Sequence, residues 1–361
     1  MATIAENIQT LRSIKSDIKN AIIQKGGSVT DAFGTYAQAI TNLPSGGGGG
    51  TEIEDALITR TLSGTYYNNR VSMIGLGTFA RCSRLISVSL PNCLYVGDWA
   101  FASCDSLKSI DLPLCSIFEG NAGADCNALT TVNLPLCHRI GLSAFEYCRA
   151  LQSVNLPNCE SIPVNAFMHC EALTSIDLPN CSYVGNGAFG NCYSLSYINL
   201  PLCEQIEWAF GRCSALTSID LPLCSSLGTN AFSYCINLTY VSLPKCIIIG
   251  QGAFMHCEAL LSIVSPLCSS IDYYAFSDCS SLTTVNLPLC KYIQYSAFYN
   301  CTNLTQVYLN SVSSVTWIQS NAFSNCPNLT SVYVPLSLVD AFKTARNWSS
   351  ISDKIVAYTE A

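Results

Sequence analysis

The stretch Leu173–Cys192 reads LTSIDLPNCSYVGNGAFGNC, and close variants of it recur along most of the chain. Aligned on its first cysteine, the repeating unit is C-x-x-L-x-x-V/I-x-L-P-x-C-x-x-I/V-x-x-x-A-F-x-x, which is 22 residues long. About twelve copies run through residues 73–326, and a partial copy follows them. A fixed period of this length is the signature of stacked coils, because each coil buries its apolar face only against its neighbours. The sequence therefore predicts a repeat solenoid.

Each half of the unit predicts a different part of the coil. Ile176 and Leu178 alternate with a polar residue, which indicates a short half-buried strand, and Pro179 ends that strand because it has no N–H to donate. The Ala-Phe pair that ends at Phe189 belongs to the returning segment, where the ring is expected to fill the core. Twelve of the 14 phenylalanines occupy this one column, from Phe79 to Phe342. We therefore expect one parallel sheet with a uniform core behind it.

Taken together, the L-x-x-I-x-L-P and A-F-x-x-C halves resemble the BspA-type leucine-rich repeats over about residues 73–342. The resemblance implies an α/β-type leucine-rich repeat solenoid that mediates attachment, as in bacterial surface proteins, some protist proteins and phage-associated proteins. Three coils depart from the pattern, and the one that begins at Cys192 does so by lacking one residue. Ala122-Gly123 replaces Ala-Phe in one coil, with Phe118 displaced upstream, and the coil from Cys301 has three extra residues, so bulged loops are expected there.

Composition excludes several classes of protein. Hydrophobic residues make up 49% of the chain and charged residues 11%, which is typical of a globular core. The net charge is −7 and the basic residues do not cluster, so nucleic acid is not an expected partner. No apolar run reaches the roughly 18 residues of a membrane span. The first residues lack the pattern of a secretory signal, so we expect the protein to be made in the cytoplasm and not to be exported through a signal peptide.

All 22 cysteines fall in two columns, one after Ala-Phe and one after Leu-Pro. We interpret them as reduced, inward-facing thiols, because free cysteine behaves as a small buried hydrophobe. Adjacent coils are close enough for disulfides, so a few adventitious ones stay open as an alternative. The regular spacing contains no C-x-x-C motif, so no zinc site or other cofactor is expected.

The exposed side of the predicted strands offers a candidate ligand-binding surface of amides and carboxylates. Hydrogen bonding to a glycan is one interpretation, and a merely solvated sheet face is the other. Tyr273 and Tyr295 share a column in adjacent coils and are further candidates for contact with a ligand. The strand-face candidates are Asp111, Asn133, Asn155, Asp177, Asn199 and Asp220.

Catalytic residues are not predicted. The motif FMHCEAL occurs at residues 167–173 and 254–260, but the copies are four coils apart, at roughly 19 Å, and cannot share an ion. Duplication of a repeat explains both histidines. A depolymerase would need a carboxylate cluster, and Asp111, Asp177 and Asp220 are separated by at least about 10 Å. An enzyme is therefore the last of the hypotheses.

Residues 1–43 form a separate predicted module, a small helical hairpin for anchoring or oligomerisation. Its first helix has an apolar stripe whose isoleucine content favours three or more strands, so a trimer is expected. Residues 44–51 are a Gly-rich linker, residues 52–72 an N-terminal cap, and residues 327–361 the last partial repeat and C-terminal cap, with a helix at about 336–346. The stripe consists of Ile4, Ile8, Leu11, Ile18 and Ile22.

The run IKSDIKNAIIQKGGSVTDAFGTYAQAITNLP resembles N-terminal segments of tail-associated virion proteins of gut bacteriophages. That resemblance implies a module that docks on other virion proteins. The leading hypothesis is a virion protein of the tail or fibre type whose array binds a host-surface glycan or protein. The alternative is a non-enzymatic BspA-like adhesin on a bacterial cell surface.

Overall fold

The computed structural model describes residues 60–359, in which the chain winds through about 13 turns of parallel strands. Each coil carries one longer and one shorter strand, so two ladders run along the solenoid. The first ladder consists of β1 (Ser63–Tyr67), β3 (Arg84–Ser89), β5 (Ser109–Asp111), β7 (Thr131–Asn133), β9 (Ser153–Asn155), β11 (Ser175–Asp177), β13 (Tyr197–Asn199), β15 (Ser218–Asp220), β17 (Tyr240–Ser242), β19 (Ser262–Val264), β21 (Thr284–Asn286), β23 (Gln306–Tyr308), β25 (Ser331–Val334) and β26 (Ile355–Ala357).

The second ladder is built from two-residue strands that follow the L-P-x-C turn. Its members are β2 (Met73–Ile74), β4 (Tyr95–Val96), β6 (Ile117–Phe118), β8 (Arg139–Ile140), β10 (Ser161–Ile162), β12 (Tyr183–Val184), β14 (Gln205–Ile206), β16 (Ser226–Leu227), β18 (Ile248–Ile249), β20 (Ser270–Ile271), β22 (Tyr292–Ile293) and β24 (Trp317–Ile318).

The predicted repeat solenoid with 22-residue coils is confirmed, and its strands pair in parallel with the equivalent residues of the next coil, as Ser175 does with Tyr197. The expectation of a single parallel sheet is corrected by the second ladder. A two-residue strand is too short to show the alternation that marks a strand in a sequence. Helix is scarce as well, because the Ala-Phe segment returns through tight turns.

Phenylalanine rings form the centre of the core, as predicted. From Phe145 to Phe323, successive rings stack nearly parallel with centroids 5.1–5.5 Å apart. The ring-to-ring distance follows the spacing of the coils, and parallel rings at this distance pack in an offset arrangement. In the coil that lacks Ala-Phe, the ring of Phe118 stacks on that of Phe145 with centroids 4.9 Å apart.

A short helical segment closes the last coils. A 3₁₀ turn at Leu336–Leu338 leads into α1 (Val339–Thr344), and a second 3₁₀ segment spans Ser349–Lys354. Phe342, counted by sequence as a member of the phenylalanine column, lies on α1 and packs edge-on against Trp348 at 5.1 Å. Trp348 is buried and its indole N–H donates to the Thr316 carbonyl at 2.8 Å.

The predicted helical module, the Gly-rich linker and residues 52–59 of the predicted cap lie outside the described residues, and so does the isoleucine stripe. Of the predicted cap, residues 60–72 are described. They contain β1, which pairs in parallel with β3. No helix within residues 60–359 combines the length and apolar character that a bilayer crossing requires.

Candidate functional site

The strand-face candidates are joined by hydrogen bonds between side chains of adjacent coils. Asp111 accepts from the Ser89 hydroxyl at 3.1 Å and from the Asn133 amide at 2.7 Å. Asn155 donates in turn to the Asn133 side-chain oxygen at 2.8 Å. The structure therefore joins the first three predicted residues in one continuous series of side-chain hydrogen bonds. The lone pairs and N–H groups that this series does not use remain available to solvent or to a ligand.

The other three strand-face candidates form two further groups. Asn199 donates to the Asp177 carboxylate at 2.7 Å, and Asp220 lies in register with Ser242. Between Asn155 and Asp177 the ladder is interrupted, because β9 and β11 belong to separate sheets. The six side chains follow the first ladder, and the hydrogen bonds between them form separate groups; ligand binding by this row stays a prediction.

Two exposed tyrosines beside this row were missed by the sequence analysis. Tyr197 and Tyr240 begin β13 and β17, where most coils have serine or threonine, and each is 57% exposed. The signal was present in the sequence, since both break a column of small hydroxyl residues. Tyr197 lies two positions before the row residue Asn199 on the same strand, and therefore on the same face.

The predicted pair, Tyr273 and Tyr295, do not stack on each other; each has a different partner. The ring of Tyr295 meets Tyr274 edge-on at 5.7 Å, while the hydroxyl of Tyr273 accepts from Gln319 at 3.5 Å. Asn321 donates to the Tyr295 hydroxyl at 3.4 Å. Both hydroxyls are thus held by amides of a later coil, and both rings lie at the second ladder rather than on the strand face.

A row of left-handed residues, which we call the left-handed ridge, follows the Ala-Phe pair by two positions. Its members adopt φ between 57° and 64°, a conformation that Asn, Asp and His tolerate better than branched residues. Ring stacking and hydrogen bonds connect adjacent members along the solenoid. The ridge consists of Arg81, Ser103, Asp125, Tyr147, His169, Asn191, Arg212, Tyr234, His256, Asp278, Asn300 and Asn325.

Both FMHCEAL histidines lie on the left-handed ridge, and each stacks on a tyrosine of the preceding coil. His169 lies 4.7 Å from Tyr147, and His256 lies 4.5 Å from Tyr234, measured between ring centroids. The histidines are four coils apart, as predicted, and each has its own partners. The repeated motif therefore builds two equivalent stacking sites, which the sequence alone interpreted as duplication without a role.

A groove of about 440 Å³ opens where one coil is a residue shorter than the others. The chain passes directly from Glu207 through Trp208 to Ala209, so the left-handed turn residue present as Gly187 in the previous coil and Asn230 in the next is missing. The groove is bordered by the left-handed ridge and contains exposed aromatic rings. Its main lining residues are His169, Asn191, Tyr193, Trp208, Arg212 and Tyr234.

The cysteine columns are buried and unpaired in all 22 positions. In the Ala-Phe column the thiol donates to a carbonyl of the preceding coil, as Cys192 does to Phe167 at 3.1 Å. In the Leu-Pro column it donates to the carbonyl two residues later, as Cys203 does to Gln205 at 3.3 Å. Burial raises the pKa of Cys93 to about 11 and that of Cys148 to about 12. These thiols are therefore structural donors and poor nucleophiles.

Groups of acidic, histidine and cysteine side chains give no metal site within residues 60–359: no three such side chains are placed to hold an ion together. The carboxylates of Asp111 and Asp177 lie in separate hydrogen-bonded groups three coils apart, each occupied by an asparagine amide. What the surface offers is hydrogen bonding and ring stacking, which are means of recognition.

Comparison with known proteins agrees with this architecture. Residues 58–171, 138–260 and 247–352 match the family model of the BspA type leucine rich repeat region. A leucine-rich repeat protein from Bacteroides ovatus is similar with a TM-score of 0.51 and 22% identity, over 80% of this chain and 88% of that chain. A leucine rich cell surface protein from Faecalibacterium prausnitzii has a TM-score of 0.42 and 25% identity, over 78% and 86% of the two chains. The curated proteins contain no match to this sequence.

Proposed function

Because this chain belongs to the BspA-type leucine-rich repeat family, we propose that its array is an attachment module of a bacteriophage virion protein of the tail or fibre type. The observation that carries the attachment role is the polar strand face, in which Asp111, Asn133 and Asn155 form a preorganised ladder. Side chains that are already fixed lose little conformational entropy when a ligand binds. A host-surface glycan or protein is the proposed ligand.

Support for the virion role comes from the N-terminal sequence, whose resemblance to virion segments implies docking on other virion proteins. In this proposal residues 1–43 assemble the protein, as a trimer, through the stripe that includes Ile4 and Ile22. The light-scattering mass of the full chain is compared with that of a chain starting at Thr51. A trimer that becomes a monomer on truncation supports the assembly role, and equal masses for the two chains contradict it.

Location separates the virion protein from the alternative, a BspA-like adhesin on a bacterial surface. The family assignment favours this second candidate equally, since it concerns only the array. Antibodies raised against residues 60–359 are used for immunogold labelling of particles and of intact cells from the same culture. Labelling of the particles supports the virion role. Labelling of the surface of uninfected cells contradicts that role and supports the adhesin.

Attachment itself is tested with fluorescent full-length protein on a panel of gut bacteria. Asp111→Ala, Asp177→Ala and Asp220→Ala together remove the carboxylates of the strand face, while Asp105→Ala removes an exposed carboxylate in a turn. We expect at least a tenfold loss of cell binding for the triple variant and an unchanged value for the control. Equal binding by all three proteins excludes the strand face as the attachment surface.

A further inference from the structure

We infer that the groove beside Trp208 binds a neutral hexopyranose unit of a glycan, with the indole as its stacking platform. This inference rests on the proposed attachment function, for which it names a ligand class and a second surface. The groove lies on the Ala-Phe side of the coils, at the left-handed ridge, and shares no residue with the strand-face row. Its failure can therefore be separated from that of attachment through the strand face.

The groove exists because one residue is missing from the coil of Trp208. In the coils on either side, a left-handed residue closes this turn, with Gly187 at φ 67° and Asn230 at φ 53°. Trp208 occupies the shortened turn and is 42% exposed, unlike the phenylalanines of the core. An exposed tryptophan at a shortened turn forms a local recognition surface, since large aromatic rings contribute much of the energy of binding interfaces.

The indole is held in place by a glycine. A Cβ built on Gly211 would lie 2.7 Å from the indole Nε1 of Trp208, so the ring lies directly over the glycine backbone. The equivalent Gly190 of the previous coil has no such neighbour within 3.4 Å. Gly211 therefore permits the close approach that orients Trp208.

The polar groups around the ring are also fixed before any ligand binds. Tyr193 donates to the side-chain oxygen of Asn191 at 3.2 Å, and the Asn191 amide nitrogen lies 3.3 Å from Nε2 of His169. The guanidinium of Arg212 is held 5.3 Å from the centre of the Tyr234 ring. Preorganised donors and acceptors at the rim of an aromatic surface lower the entropic cost of binding.

This combination fits a sugar. A pyranose has an apolar C–H face that packs on an aromatic ring and a rim of hydroxyl groups that pair with amide and guanidinium side chains. The volume of about 440 Å³ lies within the usual range of ligand sites. A second opening of about 330 Å³ shares Trp208 and Asn230 with the groove, so the indole borders both openings and more than one sugar unit can contact it.

Charge favours a neutral sugar. Arg212 is the basic residue of the main groove, and its guanidinium is engaged by the Tyr234 ring. Glu207 lines the second opening. The two openings together hold one positive and one negative group, which offset each other, so neither a sulfated nor a sialylated unit gains net attraction across the site.

The test uses the full-length protein and an array of neutral and acidic oligosaccharides built from hexopyranoses. The variant Trp208→Ala removes the platform. Trp317→Ala is the matched control, because Trp317 is 44% exposed and lies outside the groove. We expect binding to neutral oligosaccharides that falls at least tenfold with Trp208→Ala and less than twofold with Trp317→Ala. Circular dichroism verifies that both variants fold.

Three results overturn the inference: no neutral oligosaccharide binds, acidic ones bind better, or both variants bind as well as the parent protein. The bacterial-cell assay with the same variants tells which hypothesis has failed. Cell binding that survives Trp208→Ala but is lost with the strand-face triple variant leaves attachment standing and removes the groove from it. If cell binding is absent for the parent protein while oligosaccharides still bind at Trp208, the groove stands and the attachment function fails.

Discussion

The ring of Phe118 stacks on the ring of Phe145 with centroids 4.9 Å apart, although Phe118 lies on a strand and Phe145 in an Ala-Phe turn. Between them in sequence is Gly123, where every regular coil has phenylalanine. A Cβ at Gly123 would lie 2.9 Å from Cδ1 of Phe145. In this coil the ring that stacks on Phe145 thus comes from a strand position and not from the Ala-Phe position.

This exchange predicts a rescue by double substitution. Phe118→Ala should lower the free energy of unfolding by about 3–5 kcal/mol, because it empties a fully buried ring site. Gly123→Phe alone should also destabilise, since the site is occupied. The double variant Phe118→Val, Gly123→Phe restores the regular motif and should recover most of the loss. The Gly123 N–H donates to Ala144 at 2.7 Å, as that of Phe101 does to Ala122, so the backbone is already suited to phenylalanine.

Urea unfolding of the parent protein, Phe118→Val, Gly123→Phe and the double variant measures this coupling as a double-mutant cycle, and Phe118→Ala serves as the reference for an empty ring site. A double variant less stable than Phe118→Ala would contradict the idea that one ring replaces the other. Such a result would mean that the stability of this coil depends on its local backbone and not on the presence of one buried ring.

The same coil illustrates what a sequence can predict. The period, the strand of the L-P half and the buried columns follow from residue type and spacing, and the structure confirms them. The displaced Phe118 was noticed in the sequence, but its stacking partner depends on distances across coils. The second ladder escaped prediction because two residues carry no periodicity, and the left-handed ridge because its residue types vary.

The groove beside Trp208 shows more clearly what could not be predicted from the sequence. The one-residue deletion was visible in the alignment of repeats, yet a deletion can be absorbed anywhere in a coil. Only the backbone shows that the missing residue is the left-handed one, and only the contact with Gly211 shows where the indole lies. Side-chain ridges formed by residues of adjacent coils require the register between coils, which the structure supplies.

Thiol accessibility provides a second prediction. All 22 cysteines are buried, and the pKa of Cys93 is raised from its ordinary value of 9.0 to about 11 by burial. The reactive thiolate of Cys93 is therefore scarce at pH 8, and burial keeps the reagent away from the other thiols as well. We expect no rapid reaction with an aromatic disulfide reagent under native conditions and full labelling after denaturation. Rapid native labelling of even a few cysteines would contradict the burial of both columns.

Stability should fall at alkaline pH for the same physical reason. Burial raises the pKa of Cys148 from 9.0 to about 12, so the folded state retains a proton that the unfolded chain releases above pH 9. The free energy of unfolding is then unaffected below pH 9 and decreases as the pH rises toward 12. Each such thiol contributes a slope of about 1.4 kcal/mol per pH unit in that interval.

Urea unfolding at several pH values between 7 and 11 measures that slope. Cys148→Ala should be less stable at pH 7, because it leaves a cavity, and should show a smaller decrease above pH 9 than the parent protein. Comparing slopes rather than absolute values separates the titration from the cavity. Parallel pH profiles for the two proteins would show that this thiol does not retain its proton on folding.

The contact between Gly211 and Trp208 gives a prediction that needs no ligand. Gly211→Ala places a methyl group 2.7 Å from the indole Nε1, which is too close, so we expect the ring to swing outward. Gly190→Ala is the matched control in the adjacent coil, where the nearest atom to the added Cβ is a backbone oxygen at 3.4 Å, an ordinary contact. We expect both variants to unfold within about 1 kcal/mol of the parent protein.

The two variants should differ in tryptophan fluorescence. Gly211→Ala exposes Trp208 further, so acrylamide quenching should increase and the emission should shift to longer wavelength, while Gly190→Ala leaves both unchanged. Repeating the measurement on the Trp208→Phe background removes the signal of this residue, and the difference between the glycine variants should vanish. A shift that persists on that background would come from another tryptophan, and the indole would then not be held by Gly211.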